Sequence, residues 1–158
     1  WTAIDVNAPD IETVLTELDK DSKFTDITPT LYKSKGSKQF KFFAYNKDIA
    51  GAKMVGYFTI LHSSVPPEST ERQMINSTAE QLQTITKIKP EFTDLTFGSA
   101  RGARANWKMK TIDSGEIAMT TVIAFHGEGQ VVFSFTLPAD VAAQYQPQID
   151  EIINGMLF

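Results

Sequence analysis

Apolar residues along this chain fall into two kinds of spacing, and the switches between them mark out the elements in order. After Ala8-Pro9-Asp10, the residues Ile11, Val14, Leu15 and Leu18 recur at three and four. That spacing predicts a short amphipathic helix, capped by Asp10 or starting near it. From Asp19 to Lys38 the apolar residues are scattered and Pro29 intervenes, so the stretch reads as irregular, with one short strand at Thr30-Leu31-Tyr32. Phe40 to Tyr45 and Met54 to His62 are rich in aromatic and β-branched residues. They read as a strand pair turned through Asn46 to Gly51. Both strands carry apolar side chains on both faces, which implies a sheet covered on both sides.

Pro66-Pro67 breaks the pattern, and the three-and-four spacing returns from Glu68 to Thr86. Met74, Ile75, Thr78, Leu82 and Ile85 mark the expected buried side of that helix, and Pro90 bars its continuation. A three-stranded meander follows over 103–112, 117–125 and 131–137, with Asp113-Ser114-Gly115 and His126-Gly127-Glu128-Gly129 as its turns. Tyr145, Ile149, Ile152, Ile153 and Met156 then form one helical stripe after the start signal Pro138-Ala139-Asp140, and Pro147 marks either a kink or the true start. Helix, strands, helix, strands, helix gives an α+β fold: an α/β/α sandwich around a largely antiparallel sheet, as a single domain over residues 1–158.

Composition changes this picture only at the edges. With 158 residues, 42% hydrophobic and 22% charged, the chain can bury a self-sufficient core. No apolar run approaches the ~20 residues of a membrane-spanning helix. Cysteine is absent, which excludes disulfides, thiolate metal sites and a cysteine nucleophile. The chain opens on Trp1 rather than methionine. The expectation is a full-length product with an N-terminal segment ahead of it, either a signal peptide with a lipid-modified cysteine or one membrane-spanning helix.

Charge is segregated beneath the net value of −4. Residues 1–32 are mostly acidic, 33–53 carry six lysines, 95–110 are purely basic and 111–158 purely acidic. Lys33, Lys35 and Lys38, with Arg101, Arg104, Lys108 and Lys110, are therefore the candidate binding residues for an acidic partner or anionic surface. Their plainer reading is a solvated loop and a lysine-shielded strand. A pI near 5.1 argues against nucleic acid as a partner.

Catalytic groupings do not assemble. His62 and His126 are the two histidines, short of the four ligands a metal asks for. Ser63-Ser64 lacks the glycine-flanked elbow of a serine nucleophile. Asp150 and Glu151 point about a hundred degrees apart on a helix. Gly98 to Gly102 leads into a strand, where a phosphate-cradling loop leads into a helix. No enzyme activity and no cofactor or metal are expected. The aromatics Phe40, Phe42, Phe43 and Tyr45 read as core, the alternative being the wall of a ligand pocket.

Several of these features adjoin in a known order. The glycine turn Arg101-Gly102-Ala103-Arg104-Ala105-Asn106-Trp107 opens the meander. Its third strand runs Gln130-Val131-Val132-Phe133-Ser134-Phe135-Thr136-Leu137-Pro138-Ala139-Asp140 into a last helix ending Ile149-Asp150-Glu151-Ile152-Ile153-Asn154-Gly155-Met156-Leu157-Phe158. Residues 54–158 thus resemble the PsbP-like superfamily, particularly its bacterial DcrB-type branch of envelope lipoproteins. The first fifty residues depart from that pattern, with a helix and a lysine-rich loop where the family opens on a strand. The resemblance implies a three-layer sandwich and an accessory, protein-binding role in a bacterial cell envelope, outside the cytoplasm and anchored at the membrane, with another envelope protein as partner. A carrier of a small apolar or lipid-like ligand, held between helix and sheet, is the second reading. An uncharacterised hydrolase is the third.

Overall fold

A computed structural model describes residues 1–25, 27–51, 53–97, 100–111 and 115–155. Seven strands form one antiparallel sheet in the order β1-β2-β3-β7-β6-β5-β4. They are β1 (Thr2–Ile4), β2 (Phe40–Ala50), β3 (Val55–Ser64), β4 (Thr93–Phe97), β5 (Ala100–Thr111), β6 (Gly115–His126) and β7 (Gly129–Pro138). The helices are α1 (Ile11–Leu18), α2 (Thr28–Ser34), α3 (Glu71–Thr86) and α4 (Ala142–Asn154), with a 3-10 turn at Ser22–Phe24.

Strand register assigns each side chain to a face. Ala44, Phe58, Phe135, Thr120 and Asn106 stand directly opposite one another across five strands. They share the front face, where Ile149 and Ile153 of α4 pack on Phe133, Phe135 and Val122. Tyr45, Tyr57, Thr136, Met119 and Trp107 share the back face. There α1, the 3-10 turn and α2 cover one end through Leu15, Phe24 and Leu31 on Phe43 and Tyr45. At the other end Ile75 of α3 packs on Ala103, Ile123 and Phe125. Helices on both faces make the fold the α/β/α sandwich around an antiparallel sheet that the sequence predicts.

Three local expectations are corrected. Thr30 to Tyr32 is not a strand but the middle of α2, because Pro29 sits in the first turn, where its missing N–H costs nothing. Ile27 and Leu31, four apart, turn that helix inward, and both are buried. The turn expected over Asn46 to Gly51 lies later, since β2 continues to Ala50. An irregularity in register between Asn46 and Ala50 lets Ile49 cross to the front-face core. On α3 the inward residues are Ile75 and Ala79, whereas Ile85 is 77% exposed. The helix outruns the sheet it packs on and ends at Lys87, which takes a left-handed conformation.

Thr70 caps α3 through a reciprocal pair: its hydroxyl accepts from the Gln73 N–H, and the Gln73 side chain accepts from the Thr70 N–H. Asp10 precedes α1 as expected but makes no side-chain cap bond. The edge strands β1 and β4 have no counterpart in the sequence reading. Turn residues 113 and 114, the phosphate-loop residues Gly98 and Ser99, and Met156 lie outside the described residues.

Candidate functional site

Helix α4 changes character along its length, and that change opens a cleft. Its second half carries Ile149 and Ile153 into the core, while its first turn sets Ala142 and Ala143 along the cleft. Opposite that first turn the sheet offers another small residue, Ala118 of β6. Alanine facing alanine leaves the layer unfilled, because close packing needs side-chain volume from one side or the other. The result is a cleft of about 500 Å³ between the start of α4 and strands β5, β6 and β7. Phe135, Leu137 and Ile149 form its apolar floor, and Asn106, Lys108 and Gln146 stand along its rim. The helix continues through Pro147, which is exposed and so faces away from the cleft.

A chain of polar contacts runs beside the cleft from sheet to helix. The buried Thr120 hydroxyl donates to Asn106 Oδ1 at 2.9 Å, and Arg104 Nε donates to the same oxygen at 3.3 Å. The Arg104 guanidinium pairs with Asp150 of α4 at 2.7 Å. Gln146 Nε2 donates to Asp150 Oδ1 at 3.0 Å. Arg104 is thereby consumed in holding α4 on the sheet.

The basic residues singled out in the sequence divide between distant places. Lys33 lies in the last turn of α2, while Lys35 and Lys38 lie in the segment leading to β2; the other four are on β5, four strands away from β2, roughly 19 Å at ~4.8 Å per strand. Lys35 pairs with Glu12 of α1, and the same lysine's hydrogen bond and charge hold the Glu12 carboxyl below its ordinary value. Arg101 faces the back and pairs with Glu71 of α3 at 3.4 Å. Arg104, Lys108 and Lys110 share the front face by strand alternation. Lys108 reaches Glu116 only at 3.9 Å, with both side chains largely in water. Of the seven, Lys108 is the one that lines the cleft.

The aromatics Phe40, Phe42, Phe43 and Tyr45 do not wall this cleft. Phe40, Phe43 and Tyr45 are buried in the back-face core. Phe42 sits on Phe58 at 5.3 Å, and Trp1, 42% exposed, sets its ring edge-on to Phe58 at 5.3 Å. Phe58 in turn stacks on Phe135, which does line the cleft. Sequence reasoning did not single out Asn106, Gln146 or Ala118 as site residues. The only signal for them was a run of small residues at the opening of the last helix. Among the described residues no three His, Cys, Asp or Glu side chains come together as a metal site.

No protein-family model and no curated protein matches the chain. Among solved structures it is similar to PA94, a Pseudomonas aeruginosa protein of unknown function with a suggested role as a regulator. The two are 11% identical with a TM-score of 0.58, over 77% of this chain and 85% of that one. That likeness shows a shared fold. A Bacteroides thetaiotaomicron protein matches at 17% identity and a TM-score of 0.38, over 62% of this chain and 32% of its own, too loosely to carry an argument.

Proposed function

We propose that this chain is a non-enzymatic binding module that holds the apolar part of a partner protein in the cleft beneath α4. The chemistry of the cleft lining carries the reading. Apolar floor and amide rim are the composition of a recognition site. Lys108 is the sole ionisable group among the described lining residues, and the Thr120 hydroxyl spends its proton on Asn106. Neither a nucleophile beside a base nor a pair of acids stands there to move a proton. The cleft is also a surface feature, with Asn106, Lys108 and Ala143 exposed at its edge. A protein partner brings its own cover for that open side, as a small free ligand does not. The resemblance of residues 54–158 to DcrB-type envelope lipoproteins supports a partner in the bacterial cell envelope.

The test compares two baits. Ala143→Trp fills the cleft from an exposed helix position and leaves the core untouched. A partner crosslinked from membrane extract to the native chain should fall to background with Ala143→Trp. Equal recovery with both baits would remove the cleft from the reading. The carrier reading has one observation in its favour: the cleft's volume lies in the range of small-molecule sites. Native mass spectrometry separates the two, since a carried ligand adds mass to freshly purified protein.

A further inference from the structure

Resting on that reading, we infer that the group entering the cleft is the C-terminal residue of the partner, with its apolar side chain on the floor and its carboxylate on the rim. The argument starts from which polar atoms of the cleft are already used. Asn106 Oδ1 accepts from both Thr120 and Arg104, which fixes the amide's orientation. Its Nδ2 carries two hydrogens and has no partner among the described residues. Gln146 spends its own Nε2 on Asp150. Lys108 retains its ammonium, because a 3.9 Å contact between two water-exposed side chains holds it weakly. Glu116 stands directly opposite Lys110 in the ladder as well as near Lys108, so two lysines stand beside one carboxylate and the charge there is positive by one. The unspent groups beside the apolar floor are therefore mainly donors, one of them a cation. Their complement is an acceptor with negative charge.

Geometry then narrows the source of that charge. Asn106 is directly opposite Thr120, and Lys108 directly opposite Ala118. Thr120 stands opposite Phe135 in turn, so the donors on β5 and the floor residues Phe135 and Leu137 on β7 are two strands apart, about 10 Å. A ligand must place a carboxylate and an apolar side chain within that span. The last residue of a protein does so by construction, because both groups hang on one α-carbon. An internal acidic residue places its carboxylate at the end of its own side chain, where no apolar group can follow. Capture of a chain end by donors on a protein edge is a known mode of peptide recognition.

Two tripeptides test the idea: N-acetyl-Ala-Ala-Leu with a free carboxylate and the same peptide as the C-terminal amide. Binding is followed by the amide NMR shifts of Ala118, Ala142 and Ala143. The acid should bind about tenfold more tightly than the amide, the worth of one charge-assisted contact. Lys108→Met and Asn106→Asp should each abolish that preference; Asp at 106 keeps the oxygen that Thr120 and Arg104 use. Equal affinity for acid and amide at the cleft would overturn this inference and leave the binding cleft standing. Shifts from neither peptide would overturn both. Octanoate binding tenfold more tightly than the tripeptide acid would replace the protein end with a lipid carboxylate.

Discussion

Two helix layers of this molecule pack on one sheet with opposite results. On the back face α1, the 3-10 turn and α2 meet β2 and β3 with large side chains from both sides: Leu15, Leu18, Phe24 and Leu31 against Phe43 and Tyr45. Phe24 is fully buried, its ring edge-on to Tyr45 at 4.9 Å. On the front face the first turn of α4 meets β5 and β6 with alanines on both sides, and a cleft remains. Elements and architecture are equivalent, so residue volume alone separates a closed core from an open site. The open end also holds its helix differently. The Arg104–Asp150 pair ties α4 to β5 at its side, where α1 and α2 rely on apolar burial.

The comparison breaks most severely at Phe24. Phe24→Ala should cost about 3–5 kcal/mol of unfolding free energy, because a closed layer cannot collapse into the space left by a ring. Urea unfolding reads this directly. A loss below about 1 kcal/mol would mean that the back-face layer is as loosely filled as the front. A smaller effect is expected at Gly56, on the seam between the two regions. A Cβ there would lie 2.7 Å from Ile49 Cγ2 and 2.9 Å from Leu137 Cδ2. Ile49 and Leu137 both belong to the front-face core. Gly56→Ala should therefore destabilise by roughly 1–3 kcal/mol through overpacking, visible as a lowered urea midpoint with the slope unchanged. An unchanged midpoint would show that the side chains beside the cleft have room to retreat.

Helix α1 of the filled layer was legible in the sequence and the cleft was not, for one physical reason. Periodic large apolar residues such as Ile11, Leu15 and Leu18 announce a buried helix face, and the long β5–β6–β7 meander announces itself by alternation and turn residues. A cleft is written in what is missing, here the side-chain volume at Ala118, Ala142 and Ala143, and small residues carry no periodic signal. Helix α2 was hidden because Pro29 reads as a breaker unless its place in the first turn is known. The edge strand β1 has only three residues, and β4 offers Thr-Asp-Leu-Thr-Phe with one charge among them, both too short for alternation to stand out. The basic stretches were plain in sequence. What they do depended on partners far along the chain: Glu12 for Lys35, Glu71 for Arg101 and Asp150 for Arg104.

The smallest effect sharpens the comparison through two lysine–glutamate pairs. Lys35 and Glu12 join the segment after α2 to α1 in the filled layer, while Lys108 and Glu116 stand 3.9 Å apart at the cleft. In the first pair the hydrogen bond from Lys35, and then its charge, lower the Glu12 carboxyl below the ordinary 4.5. The folded chain therefore binds this proton less readily than the unfolded chain does. The pair's contribution is present in full above the ordinary carboxylate range, and it is lost as pH falls from about there through the lowered folded value. Lys35→Ala should remove that slope, so the stabilities of native and variant chains converge on going from pH 6 to pH 3. The gap at pH 6 should be slight, since both side chains are largely in water, and it should shrink with added salt. Parallel stability curves for Lys35→Ala and the native chain would mean that Lys35 does not hold the Glu12 carboxylate as their contact requires.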